Sequence, residues 1–255
     1  MAFEKGEARV ATFSVILAAA GKSSRFRDKH YKKPFAPLAD RAVWLHSAER
    51  FLNRDDVKQL IVVISPEDRE VFQSKFAANV AILGIETAEG GRRRGDSIAN
   101  ALRLVRDDVD MVAVHDAARP CVASQWIDTV FSTAEKSGAA ILAIPVTGTL
   151  KRSVDGKSID GTVTRANLWE AQTPQAFRRS LLVQAYAQRG DLDATDDAEL
   201  VERLGQPVTI VPGSPINMKI TTREDLRLAA QAMKALPKPK LWGPSHPFAD
   251  DDLWR

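Results

Sequence analysis

Phe13-Ser14-Val15-Ile16-Leu17-Ala18-Ala19-Ala20-Gly21-Lys22-Ser23-Ser24-Arg25 joins an apolar run to a loop of small residues that turns cationic. A short run that is apolar on both faces reads as a strand in the interior of a sheet, usually a parallel one. Small residues after such a strand let backbone N–H groups approach a phosphate or a base closely. Arg25, Lys29, Lys32 and Lys33, ahead of Pro34, add charge that can neutralise a polyphosphate. Two familiar phosphate loops do not fit. A P-loop places a glycine where Ile16 stands, and a dinucleotide fingerprint needs three glycines where only Gly21 is present. A basic solvated turn is the other reading of this segment.

Further apolar runs follow at Leu60–Ile64, Met111–Val114 and Ala139–Ile144, with helical patterns between them. Ser65-Pro66-Glu67-Asp68 offers an N-cap serine, a proline at N1 and a carboxylate at N3, ahead of Val71, Phe72 and Phe76. Ile98, Ala101, Leu102 and Val105 mark one helical face, and Thr222 with Asp225 forms a capping-box start before Leu226, Ala229, Ala230 and Met233. This alternation predicts an α/β fold: a doubly wound, mostly parallel, Rossmann-like sheet with ligands at the carboxyl ends of its strands. The expected organisation is one domain over residues 1–236 and a Pro-rich tail over 237–255, in which Trp242, Phe248, Leu253 and Trp254 could pin to a surface. The polar, glycine-containing run at about 147–165 is too long for an ordinary connection and reads as a protruding arm or a surface loop.

Three loops carry chemistry. Besides the first, Glu89-Gly90-Gly91-Arg92-Arg93-Arg94-Gly95-Asp96-Ser97 leads into a helix, whose N-terminal amides favour anionic groups. A capped helix with a solvated arginine run is the alternative. Val114-His115-Asp116-Ala117-Ala118-Arg119-Pro120 sets an acid and a base beside tiny residues. Asp116 could hold magnesium or sugar hydroxyls, or form a salt bridge with Arg119. Farther on lie Trp169-Glu170-Ala171-Gln172-Thr173-Pro174-Gln175, Thr195-Asp196-Asp197-Ala198 and Asn217-Met218-Lys219-Ile220-Thr221-Thr222. Taken singly, Thr195 caps a helix and Lys219 lies on a strand edge.

Composition narrows the class. The chain has 255 residues, 44% hydrophobic and 27% charged, enough for a core without disulfides or a structural metal, and its single cysteine, Cys121, allows no intrachain disulfide. A net charge of +3 does not demand nucleic acid as a partner. No run reaches the roughly 18 apolar residues of a membrane span, and Met1–Arg9 lacks the pattern of a signal peptide. A cytoplasmic protein with neither membrane nor nucleic-acid partners is expected. His30, His46, His115 and His246 lack zinc-ligand spacing, and there is no Gly-x-Ser-x-Gly elbow. His115 reads as a structural hydrogen-bonding residue and Cys121 as a packed side chain.

Together, from Ser14 to about Met233, these motifs resemble the 2-C-methyl-D-erythritol 4-phosphate cytidylyltransferase family. Gly21, Arg25, Lys33, Gly90, Gly91, Arg94 and Ser97 match its first two loops. His115–Pro120, Thr173–Gln175, Thr195-Asp196 and Asn217–Thr221 then match its later motifs in order. The resemblance implies a Rossmann-like nucleotidyltransferase transferring CMP from CTP to 2-C-methyl-D-erythritol 4-phosphate in non-mevalonate isoprenoid precursor synthesis, with release of pyrophosphate and a divalent cation, Mg2+, as cofactor. It assigns Arg25, Lys33 and Lys219 to catalysis, and Ala19, Ala20, Gly21, Gly90, Gly91, Arg94 and Ser97 to the nucleotide. Asp116, Arg119, Thr173 and Thr195 go to the acceptor. It also implies a homodimer whose exchanged arms bring Thr149 and Arg165 to the partner's substrate. The chain departs from the family pattern in several places. Ser23 stands where the family has a second loop glycine, and the segment from Arg25 to Lys33 is one residue longer. Lys32-Lys33-Pro34-Phe35 replaces Pro-Lys-Gln-Tyr, which leaves Lys32 as a competitor for the catalytic lysine and Lys29 as a remoter one. Arg92 replaces an aspartate, and Gly148-Thr149 and Thr162-Val163-Thr164-Arg165 keep the arm's threonine and arginine without its acids. Ribitol 5-phosphate as acceptor, and a CTP-binding regulatory protein with a decayed catalytic loop, are the rival readings.

Overall fold

The computed structural model describes residues 10–26, 28 and 31–237. The segment Met1–Arg9, Lys29, His30 and the tail from Lys238 with Trp242, His246, Phe248, Leu253 and Trp254 lie outside the described residues. In chain order the first half runs β1 (Phe13–Ala18), β2 (Pro37–Leu38), β3 (Arg41–Ala42), α1 (Val43–Leu52), β4 (Val57–Ile64), α2 (Arg69–Ile82), β5 (Glu86–Glu89), α3 (Arg94–Leu102) and β6 (Met111–Asp116). The second half adds α4 (Ser124–Ser137), β7 (Ala139–Pro145), β8 (Leu150–Arg152), β9 (Gly161–Val163), β10 (Trp169–Arg178), α5 (Arg179–Ala187), α6 (Asp197–Arg203), β11 (Thr209–Pro212) and α7 (Arg223–Ala232).

Among the described residues the main sheet has seven strands in the order β11-β7-β10-β6-β1-β4-β5. Neighbours pair in parallel except β10, which runs antiparallel to both β6 and β7. Period-two alternation on β1 divides the core. Phe13, Val15 and Leu17 pack with Trp44, Phe51, Phe72 and Ile127 of α1, α2 and α4, whereas Ile16 packs with Ile98, Leu182 and Val201 of α3, α5 and α6. The sheet is therefore covered on both faces, as its doubly apolar strands require. Side chains such as Trp44, Phe51 and Phe177 are fully buried, and each contributes about 1.5–3 kcal/mol of hydrophobic stabilisation.

The strands at all four apolar runs and the Thr222–Asp225 capping box form as the sequence predicts. In that box the Asp225 amide donates to Thr222 Oγ1 at 3.2 Å and the Thr222 amide to Asp225 Oδ2 at 2.8 Å. Other expectations fail locally. Ser65 does not cap with its side chain: Pro66–Asp68 form a separate 3-10 turn ahead of α2, and Val71 faces solvent. Asp196, not Thr195, caps α6: Asp196 occupies the N-cap position and its Oδ1 accepts the Glu199 amide at 3.0 Å, while Thr195 lies one residue outside it. Lys219 lies in a loop rather than on a strand edge. Val105 is buried with the Ile98 face although α3 has already ended. Residues 147–164, the run expected to form an arm or a surface loop, contain the antiparallel ribbon β8–β9, separate from the main sheet and largely exposed. No helix among the described residues is long and apolar enough to cross a membrane.

Candidate active site

Because β1, β4, β5 and β6 are parallel, their carboxyl ends emerge at one edge, and the loops leaving them enclose a cavity of about 800 Å³. Ala19, Ala20 and Gly21 form one wall, and Gly90, Gly91, Arg94 and Ser97 another. Ser65, Pro66 and Glu67 close a third side, while Lys33, Asp116 and Lys219 point inward. Six cationic residues (Lys22, Lys33, Arg92, Arg93, Arg94 and Lys219) face two carboxylates (Glu67 and Asp116). A concave surface with that balance suits a polyanion.

The glycines are dictated by closeness. A Cβ on Gly90 would stand 2.5 Å from Ala20 Cβ, and one on Gly91 2.3 Å from Asp96 Cβ. Ser97 is buried and acts on the loop: its hydroxyl accepts the Gly91 N–H at 3.0 Å and donates to Arg93 O at 3.1 Å. Two residues of the arginine run are anchored, while Arg92 is exposed. Arg93 Nη1 donates to Asp191 O at 2.9 Å, and Arg94 Nη2 donates to Asp197 Oδ2 at 2.6 Å.

The first loop separates the two neighbouring lysines. Lys32 Nζ is paired with Asp68 at 2.8 Å and Glu67 at 3.4 Å, whereas Lys33 lines the cavity. Burial first, then the charge of Lys219, pushes the Lys33 pKa down to about 8, with Asp116 opposing and Arg25 adding to the depression. Arg25 is exposed and does not line the cavity, so its electrostatic reach to Lys33 is the link the structure gives it. Ser23 adopts a left-handed backbone (φ 53°) that glycine would take without cost. Its hydroxyl accepts the Lys33 amide at 3.1 Å, which ties the turn to the lysine.

Lys219 is held by anchors on either side. Asn217 is fully buried; its Nδ2 donates to Thr173 O at 2.9 Å, and its carbonyl accepts Arg119 Nη1 at 2.7 Å. Ile220 donates its amide to Ala118 O at 2.8 Å and packs with Phe26, Leu38 and Cys121. Between these anchors Lys219 Nζ meets Asp116 Oδ2 at 2.9 Å, and Arg119 Nε meets the same oxygen at 3.3 Å. Burial opposes ionisation of Asp116, but the charges of Lys219, Arg119 and Arg94 outweigh it and hold the carboxyl well below the usual range. The Asp116–Arg119 salt bridge is therefore present, and Asp116 faces the cavities as well.

A second cavity of about 210 Å³ adjoins the first and is lined by Arg119, Gln172, Thr173, Gln175, Thr195 and Asp196. Arg94, Asp116 and Lys219 line both cavities. The β10 register with β7 breaks between Ala171 and Gln175, where Pro174 has no N–H to give the ladder, and Gln172, Thr173 and Gln175 of this stretch line the small cavity. Thr173 borders that cavity, but its hydroxyl is committed inward. It accepts the Asp116 amide at 3.0 Å and meets His115 Nδ1 at 3.0 Å, while His115 Nε2 meets Arg119 O at 3.0 Å. Burial pushes the His115 pKa down to about 4, so the ring is neutral and structural. Cys121 is packed away, its thiol pushed up to about 11 by burial. Thr195 lines the small cavity, with amide and hydroxyl on Glu199 Oε2 at 2.9 and 3.2 Å. Thr149 and Arg165 line neither cavity of their own chain; Arg165 donates to Thr147 O on the exposed arm.

Reading the sequence left out the Glu67 wall, the anchoring by Asn217, and the buried Asp197–Tyr186 pair. Asn217 and Asp197 lay inside quoted motifs, whereas nothing local marks Tyr186. No group of three or more potential metal-ligating residues exists among the described residues.

The sequence model of the 2-C-methyl-D-erythritol 4-phosphate cytidylyltransferase (IspD) family matches residues 13–235. The chain is 42% identical over 231 residues to the 2-C-methyl-D-erythritol 4-phosphate cytidylyltransferase of Rhodopirellula baltica, covering 86% of this chain and 93% of that protein. It is 37% identical over 232 residues to the chloroplastic protein of that name from Oryza sativa, covering 90% and 77%. The crystal structure of the Francisella tularensis protein of that name superposes with a TM-score of 0.75 at 28% identity, covering 87% of this chain and 100% of that one. The chain belongs to the 2-C-methyl-D-erythritol 4-phosphate cytidylyltransferase family.

Proposed function

We infer that this protein transfers the cytidylyl group of CTP to 2-C-methyl-D-erythritol 4-phosphate, giving 4-diphosphocytidyl-2-C-methyl-D-erythritol and pyrophosphate. An acceptor phosphate oxygen attacks the α-phosphorus, and the bond from that phosphorus to the oxygen bridging to the β-phosphorus breaks. The attacking group needs no base, because a phosphate monoester with a second pKa of about 6 is largely dianionic at neutral pH. The barrier is the meeting of two anions, so positioning and fixed positive charge supply the catalysis.

The observation that carries this reading is the junction of the two cavities at Arg94, Asp116 and Lys219. The larger cavity suits the nucleotide: small-residue backbone at Ala19–Gly21 and Gly90–Gly91 approaches base and ribose, and Lys33 and Lys219 face the triphosphate. The smaller suits the acceptor beside Arg119 and Thr195. Arg25, exposed but within electrostatic reach of Lys33, adds positive potential toward the triphosphate on this reading. With Lys32 paired to Asp68, Lys33 is the better candidate for the catalytic lysine.

Magnesium would ride on triphosphate oxygens, with Asp116 the carboxylate placed to meet it. A single carboxylate fits an ion that keeps its waters and is shared with phosphates. Bound there, it would neutralise charge on the triphosphate. The exposed arm, with Thr149 and Arg165 away from their own cavities, supports a homodimer in which each arm completes the partner's acceptor site. Charged, water-soluble substrates support a cytoplasmic location.

The test is pyrophosphate release by the purified chain with CTP and either acceptor. The expected result is turnover with methylerythritol phosphate at a kcat/KM well above that with ribitol 5-phosphate. Preference for ribitol phosphate would reject the acceptor, and CTP binding without turnover on either would reject the reaction.

A further inference from the structure

Among the described residues Arg94 is the one arginine that borders both cavities, and it is not free to swing. Its Nη2 donates to Asp197 Oδ2 at 2.6 Å, and the Asp197 side chain is fully buried. The other oxygen of that carboxylate accepts the Tyr186 hydroxyl at 2.5 Å. A buried carboxylate with both oxygens engaged by a cation and a phenol is held in one geometry by charge-assisted bonds.

The backbone beneath it is fixed as well. Gln175 Oε1 accepts the amides of Asp197 and Ala198 at 3.2 and 3.1 Å, and Gln175 Nε2 donates to Asp196 Oδ2 at 2.8 Å. Arg94 of α3 and Tyr186 of α5 thus meet on the carboxylate that α6 supplies, while Gln175 of β10 holds the backbone that carries it. With one N–H on Asp197, the planar guanidinium keeps further donors for phosphate oxygens.

We propose that Asp197, braced by Tyr186 and Gln175, is the positioning residue that holds Arg94 at the cavity junction, so that one cation serves both the nucleotide and the acceptor phosphate. This rests on the assignment of the two cavities above. It gives the Asp197 of the Thr195-Asp196-Asp197 motif a task that the assignment of Thr195 alone left unexplained.

The test measures equilibrium binding of CTP, and of methylerythritol phosphate in the presence of a CTP analogue with a methylene bridge between the α- and β-phosphorus. It uses the full chain, Arg94→Ala, Asp197→Asn, Tyr186→Phe and two doubles, Arg94→Ala with Asp197→Asn and Arg94→Ala with Tyr186→Phe. Asp197→Asn is expected to weaken both ligands about tenfold and Tyr186→Phe about threefold, the loss of charged and of single hydrogen bonds respectively. Each double is expected to bind no more weakly than Arg94→Ala alone. Losses that add in the doubles, or single variants that bind like the unaltered chain, would overturn the proposal. If Asp197→Asn does not fold, the Tyr186→Phe arm decides alone. An unaltered chain that binds both ligands yet releases no pyrophosphate would reject the function while leaving the binding cycles to decide this inference.

Discussion

The strand-end cavity and the arm draw on the same residue types, glycines, threonines and cations, but differ in what holds them. In the cavity the functional groups are tied to the folded body: Gly91 to the buried Ser97, Lys33 through its amide to the half-buried Ser23, and Lys219 between the buried Asn217 and Ile220. On the arm the contacts are local and exposed, such as Lys151 Nζ to Thr162 Oγ1 at 2.6 Å and Asp155 Oδ1 to the Lys157 amide at 2.7 Å. Charges fixed against a folded background stabilise a transition state without reorganising. Charges in solvent are screened and gain force only when something dry covers them. On the proposed reading the cavity residues are set before the substrates arrive, whereas Thr149 and Arg165 of the arm act only when a partner's surface covers them.

Lys219 is where this contrast is greatest. Lys219→Ala should lower kcat about a thousandfold, in the range for loss of one preorganised charge donor, with a melting temperature close to that of the unaltered chain. An unchanged kcat would strip the cavity of its role. Gly91→Ala comes next: the added carbon collides with Asp96, so CTP affinity should fall at least about tenfold, measured by calorimetry. Unaltered affinity would mean that the loop can move aside.

Arg165→Ala tests the arm. The KM for the acceptor should rise about tenfold, as for a lost charged hydrogen bond, while the KM for CTP stays nearly constant. Mixing inactive Lys219→Ala with Arg165→Ala protomers should restore part of the activity if arms are exchanged. A mixture no more active than its components would confine each site to one chain.

The pH profile separates the regions without mutation. Lys33 must be protonated to act as a cation, and its pKa of about 8 in the free protein places the loss on the alkaline side. For CTP, kcat/KM should be level between about pH 7 and 8, where the phosphates are already dianionic, and fall about tenfold per unit above pH 8, because kcat/KM reports the free enzyme. A level profile to pH 9.5 would remove Lys33 from that role. The smallest effect expected is in stability: replacing residues 150–162 by a short glycine linker should move the melting temperature by only about 2 °C, as for changes confined to an exposed surface.

Most of the fold was legible because both-face apolar strands and a capping box are local signals. The antiparallel direction of β10 was not, since strand direction follows from where the chain returns and no residue of Trp169–Arg178 records it. The cavity lining was legible loop by loop through the resemblance, but the difference between Lys32 and Lys33 was not. Both are lysines just ahead of Pro34, and what distinguishes them is the acidic pair Glu67 and Asp68, which the turn after β4 brings to Lys32. Tyr186 sits on a helix as an ordinary core aromatic until folding sets its hydroxyl on Asp197. Long-range pairing of this kind has no spacing to read.

The most direct test of the cationic cavity is the single-turnover rate of pyrophosphate release from CTP, with saturating acceptor, for Lys33→Ala beside Lys32→Ala. The expected result is a loss of at least about a hundredfold for Lys33→Ala and no more than a few-fold for Lys32→Ala. Equal losses, or a larger one for Lys32→Ala, would contradict the placement of the reacting phosphates between Lys33 and Lys219.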